Sequence, residues 1–138
     1  MSVVVDTSVW SLLLRRKRPQ DSPELDILRR LIRDKRATLL GIVKQELLSG
    51  FSRPESFERV VRALEEIPVV LATGPDHVAA AKLYTDCRRN GIQGSLPDLL
   101  VCTQSLRLGS PILTADKDFK RYASITPIRL VDTAKTSK

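Results

Sequence analysis

Long apolar runs are missing from this 138-residue chain, and none approaches the roughly 18 residues that a membrane-spanning helix needs. A secretory pattern is missing too, because Asp6 interrupts the N-terminal apolar stretch almost at once. Both absences point to the cytoplasm. Cysteine is scarce. Cys87 and Cys102 lie inside helical patterns and, in a reducing compartment, are expected as small buried hydrophobes rather than as a disulfide. Histidine is scarcer still: His77 has no second imidazole nearby and the cysteines lack zinc spacing, which argues against a zinc site. With no internal repeat, low-complexity tract or linker, the chain is expected to form a single domain with its own core.

What is present belongs to a folded globular protein: 42% hydrophobic and 28% charged residues. The formal net charge of +7 favours polyanionic partners, nucleic acid first.

Along the chain, apolar runs alternate with helical patterns. Residues 1–5, 37–40, 69–71 and 112–114 read as strands, and 128–131 as a last edge strand. Thr7 and Ser8 start a helix that continues from Val9 to Leu14, and Leu25, Leu28, Leu31 and Ile32 recur at helical spacing. A helix ends near Ser49, with Gly50 suited to its C-cap, and Pro54 starts another through Phe57, Val60, Val61 and Leu64. Pro75 begins a long helix with Val78, Ala81, Leu83 and Tyr84 as its expected inner face, and a further helix runs from about Pro97 to Arg107. A short helix follows Asp116. Alternating strands and helices predict an α/β fold: a three-layer α/β/α sandwich around a mainly parallel sheet of four to five strands.

Four carboxylates stand out against this frame. Asp6 ends the run Val3-Val4-Val5, and Asp116 follows Ile112-Leu113-Thr114-Ala115. Glu46 and Asp98 lie in apolar segments that read as helix openings, Val43 to Leu48 and Leu96 to Leu100. In open α/β sheets, active sites gather beyond the carboxyl ends of the strands. Any one of these acids alone can be a helix N-cap, but Glu46 is hard to explain that way, because Leu47 and Leu48 continue the helix behind it. Acids crowded together persist when a cation neutralises them, and hard oxygen donors suit Mg²⁺ or Mn²⁺. Such a pocket suits phosphodiester hydrolysis. Thr7 and Thr114 can add hydroxyl contacts, or simply serve capping and strand propensity.

Four blocks carry a resemblance: Val3-Val4-Val5-Asp6-Thr7-Ser8-Val9-Trp10, Gln45-Glu46-Leu47-Leu48-Ser49-Gly50, Leu96-Pro97-Asp98-Leu99-Leu100, and Ile112-Leu113-Thr114-Ala115-Asp116-Lys117-Asp118-Phe119. In this order the chain resembles PIN-domain ribonucleases, in particular the VapC-type toxins of toxin–antitoxin pairs. The resemblance implies a PIN domain over residues 1–132 with a polar, frayed tail at 133–138. It also implies that Asp6, Glu46, Asp98 and Asp116 form an acidic quartet that binds Mg²⁺ or Mn²⁺ and cleaves RNA, with Glu46 as ligand or as orienter of the attacking water. Asp118 either contacts the site or caps the short helix. A homodimer and a cognate antitoxin are the implied partners. Gln104 and Ser105 depart from the pattern, standing where relatives have small apolar residues.

Arg15, Arg16, Lys17 and Arg18, with Arg88-Arg89 and Lys120-Arg121, offer phosphate contacts or a solvated face. Trp10 and Tyr84 are expected in the core, with base stacking as the alternative. A catalytically idle module that grips RNA or protein is the competing function. A haloacid-dehalogenase-type phosphatase wants a carboxylate where Ser8 stands, and a receiver domain wants a Lys ending a strand, which Lys117 does not do.

Overall fold

Three consecutive β-branched residues, Val3, Val4 and Val5, are almost wholly withdrawn from solvent and form β1 (Val3–Val5) in the middle of the molecule. The computed structural model describes residues 1–15 and 22–134. Among these, the order after β1 is α1 (Thr7–Leu14), α2 (Pro23–Arg33), β2 (Ala37–Leu40), α3 (Gly41–Ser49), α4 (Pro54–Leu64), β3 (Val69–Val70), α5 (Gly74–Arg89), α6 (Leu96–Leu108), β4 (Ile112–Leu113) and α7 (Asp118–Ala123).

The strands form one sheet in the order β3-β2-β1-β4, and every pairing is parallel. Parallel neighbours need crossover connections, which the helices supply, giving the three-layer α/β/α arrangement expected of a PIN-like fold. The register sets Val5 opposite Leu113, so that Asp6 and Thr114 leave the sheet at the same end. The expected strand at 128–131 appears as a single parallel bridge between Leu130 and Ile112. Ile112 N–H donates to Arg129 O at 2.8 Å and Val131 N–H to Ile112 O at 2.9 Å.

Helix boundaries follow local chemistry. Ser22 caps α2, with Pro23 in its first turn, and Ser95 caps α6, accepting from Asp98 N–H at 3.2 Å. Gly109 ends α6 with φ +65°, a left-handed conformation that glycine adopts without strain. Gly50 caps α3 as expected but at φ −80°, so its left-handed freedom goes unused.

The stripe Leu25, Leu28 and Leu31 on α2 is buried, as is Trp10, whose indole N–H donates to Val5 O at 3.1 Å. On α5 half of the expected inner face turns inward. Leu83 is buried and Tyr84 packs half-buried against the core, whereas Val78 is 72% exposed and Ala81 is exposed, and Asp76, Ala80 and Cys87 complete the buried face instead. The phase is set by Asp76, whose carboxylate takes the Arg107 Nε–H at 2.9 and 3.0 Å while its backbone carbonyl accepts from Thr103. Both cysteines are buried and free, and burial pushes their thiols up from the ordinary range. Among the described residues, no helix is long and apolar enough to cross a membrane.

Candidate active site

Asp6 takes the position just past β1, its N–H donating to Leu113 O at 3.0 Å so that the strand ladder continues into it. It caps α1, and it is only 3% exposed. Its Oδ2 accepts from Ser8 Oγ at 2.7 Å and from Thr114 Oγ1 at 2.8 Å. The same two hydroxyls accept from the backbone on the other side: Ser8 Oγ from Ala115 N–H at 3.0 Å, Thr114 Oγ1 from Asp116 N–H at 3.0 Å. A pair of hydroxyls therefore stitches the end of β1 to the turn after β4 and fixes where Asp6 and Asp116 stand.

Asp98 enters from the first turn of α6, where Pro97 and the Ser95 cap define the helix start. Tyr122 on α7 donates its hydroxyl hydrogen to Asp98 Oδ2 at 3.0 Å. Burial pushes the Asp98 carboxyl up to about 6; the Tyr122 and Ser95 hydrogen bonds oppose this, while the negative charges of Asp6 and Asp116 add to it. The Tyr122 hydroxyl is raised in turn, mainly by burial and then by the Asp98 charge.

One carboxylate oxygen from each of Asp98, Asp116 and Asp118 lies within 4.8 Å of the other two. Asp118 N–H donates to Asp116 Oδ1 at 2.9 Å, which folds the turn onto itself and brings the Asp118 side chain into the group. Asp118 is the first residue inside α7, whose N-cap position belongs to Lys117 without a side-chain cap bond, so it does not cap the helix and stands instead with the acids.

Glu46 sits in the second turn of α3 rather than at its opening. It accepts from Thr7 Oγ1 at 2.8 Å, which ties it to the residue following Asp6. It also lines a cavity of about 420 Å³ with Ile42, Gln45 and Pro97, next to Asp98 in the chain. The tight trio thus contains two of the four expected acids and Asp118. Asp6 joins through Thr114 and through its charge on Asp98, and Glu46 through Thr7.

Sequence reasoning missed Ser8 and Tyr122 as parts of this constellation. The Asp6-Thr7-Ser8 order announced a helix start and could have suggested Ser8 as an Asp6 partner. Phe119 and Tyr122 at helical spacing announce burial, yet nothing in the sequence aims the hydroxyl at Asp98. Of the basic run, Arg15 is exposed at the C-cap of α1, and Arg16, Lys17 and Arg18 lie outside the described residues. Arg88 packs over the Tyr84 ring at 5.8 Å, and Arg89 pairs with Asp86 at 4.0 Å, both far along α5. Lys120 lines a cavity with Asp116. A larger cavity of about 510 Å³, around Ile32, Ala37, Ile67 and Val70, contains none of the acids.

The donor set suits a hard divalent cation. It consists of oxygen ligands from carboxylates, and among the described residues no Lys or Arg forms an ion pair with any of the five acids. Two unit charges 4 Å apart repel by about 4 kcal/mol at an effective dielectric near 20, so an unneutralised trio is costly.

The chain matches the PIN domain family over residues 3–125. Ribonuclease VapC11 of Mycobacterium tuberculosis is 30% identical over 133 residues, which cover 92% of this chain and 96% of that protein. VapC ribonuclease Mb1587 of Mycobacterium bovis matches to the same extent. Among solved structures, DNA-bound VapBC from Salmonella typhimurium superposes with a TM-score of 0.76 at 19% identity, covering 96% of this chain and 98% of that one. FitAcB from Neisseria gonorrhoeae superposes with a TM-score of 0.73 at 17% identity, with the same coverage.

Proposed function

This chain belongs to the PIN-domain family, and from that premise we propose that it is a toxin-type endoribonuclease, dependent on Mg²⁺ or Mn²⁺ and neutralised by a cognate antitoxin. The observation that carries the reading is the Asp98–Asp116–Asp118 trio, backed by Asp6 and, among the described residues, left without a basic partner. The ribonuclease names of its VapC relatives support RNA as substrate, and the VapC likeness supports pairing with an antitoxin.

Asp98, Asp116 and Asp118 would hold the cation, with Asp6 beside them. When bound, such an ion supplies charge neutralisation at a phosphoryl group and activation of a water nucleophile. The chain's own contribution is positioning. Ser8 and Thr114 lock Asp6 and the Asp116 backbone into one geometry, so little ordering remains when substrate arrives. Tyr122 holds Asp98 Oδ2 and so fixes the orientation of that carboxylate. Glu46, steadied by Thr7, stands at the edge as the group that orients the attacking water or completes the ligand set.

The test is incubation of purified, antitoxin-free protein with single-stranded RNA in Mn²⁺, and again in EDTA. Cleavage that the chelator abolishes is the expected result. No chelator-sensitive cleavage would instead favour the catalytically idle binding module.

A further inference from the structure

Three separate segments converge on a cavity of about 170 Å³ at the end of β4: Glu24 from the first turn of α2, the turn from Thr114 to Lys117 with Lys120 of α7, and Leu130, Val131 and Thr133. The cavity shares Thr114 and Asp116 with the acid site, so whatever occupies it lies directly beside the reacting position. We propose that it is a nucleotide subsite in which Lys117 and Lys120 hold the phosphate adjacent to the scissile one and Glu24 reads the base. The inference rests on the RNA-cleaving reading above and deepens it.

Charge arrangement and size carry the argument. At about 30 Å³ per water, the space holds about six waters, which suits one phosphate with part of one base and excludes a folded element. Two lysines on a bare surface would say nothing. Here they share one cavity with a carboxylate and an apolar wall, and among the described residues none of Lys117, Lys120, Glu24 or Asp116 forms an ion pair within 4.0 Å. Ammonium groups that share a cavity with Asp116 and Glu24 without pairing with either remain available to a phosphate. Leu130 and Val131 provide a surface for the face of a base, as single-stranded RNA requires.

Glu24 gives the subsite a preference. A carboxylate accepts hydrogen bonds and donates none, so it pairs with base edges that carry an amino group, such as cytosine N4. Uracil offers one N–H flanked by two carbonyls, which repel the carboxylate. Uracil is therefore the disfavoured occupant.

The experiment uses the full chain and a short fluorescent single-stranded oligoribonucleotide, with Ca²⁺ in place of Mn²⁺ so that binding is read without cleavage. The double variant Lys117→Ala/Lys120→Ala is expected to bind about tenfold more weakly at low salt, with its log-affinity against log-salt slope reduced by about 0.7, one phosphate's worth on a single strand. A merely structural role would leave that slope alone. Glu24→Gln, assayed with Mn²⁺ on a random-sequence RNA pool by end sequencing, is expected to raise the share of uracil at one nucleotide flanking the cut. If the wild type cuts RNA while both the salt slope and the flanking-base profile stay unchanged in these variants, the subsite is refuted and the nuclease reading stands. If the wild type cuts no RNA in Mn²⁺, both fail.

Discussion

Tyr122 donates its hydroxyl hydrogen to Asp98 Oδ2 at 3.0 Å, joining α7 to the first turn of α6 across 24 residues of chain. The bond favours the ionised carboxylate and works against the burial that raises it. In Tyr122→Phe the Asp98 carboxyl is therefore expected to rise further, so that Mn²⁺ binding shifts to higher pH. Loss of the buried hydrogen bond should also lower stability by about 1 kcal/mol. Calorimetric Mn²⁺ titrations across pH check this, and an unshifted profile would separate Tyr122 from the site.

Asp98→Asn is expected to abolish RNA cleavage while leaving the fold intact. Its effect on stability has a sign set by linkage. The folded-state carboxyl sits at about 6, above the ordinary carboxylate range, so its stabilising contribution is full at low pH and is lost as pH rises through about 6. In EDTA the wild type should therefore melt below Asp98→Asn near neutral pH, and the gap should narrow toward pH 4. Thermal melts over that range, with substantial residual nuclease activity or a constant gap, would contradict the assignment.

Thr114 offers a separate handle, since its hydroxyl donates to Asp6 and accepts from the Asp116 backbone. Thr114→Val keeps the shape and removes both bonds. Support of this kind is worth about tenfold or more in metal affinity, and cleavage should fall in step. Equal Mn²⁺ affinity in the two proteins would make the hydroxyl a bystander.

The Asp76–Arg107 pair lies away from the acids and should behave oppositely with pH. The Arg107 guanidinium, helped by the Thr73 cap, holds the Asp76 carboxyl below its usual range against the cost of burial. Its contribution is present above the ordinary carboxylate range and is lost as pH falls through the lowered value. Arg107→Met should lower the melting midpoint at neutral pH by leaving Asp76 buried and unpaired, with Mn²⁺ binding intact. A melting curve identical to wild type would show the pair to be neutral.

The parts of the fold readable in the sequence are those where one local rule acts alone. Val3-Val4-Val5 can only be a buried strand, and the helix expected from about Pro97 begins one residue earlier, at Leu96. The inner face of α5 was readable only in part: Leu83 and Tyr84 turn inward as expected, but Val78 and Ala81 offer as good an apolar stripe as Ala80 and Cys87. The choice between them is made by a polar contact with α6, 31 residues away. Gln104 was equally opaque. Its side chain is fully buried on α6, and both amide atoms lack a partner among the described residues. At the site, the sequence marked Asp6, Asp98 and Asp116 by their positions after strands and at a helix start. Asp118 it left open between two roles, and Ser8 and Tyr122 join the acids only through hydroxyl hydrogen bonds to Asp6 and Asp98 that no periodicity records.

Titration of Mn²⁺ into the metal-free protein at pH 6, by calorimetry, tests most directly whether these acids act together on a cation. Saturable binding with proton release, lost in both Asp98→Asn and Asp116→Asn, is the predicted result. Absence of saturable binding, or binding undiminished in both variants, would contradict it.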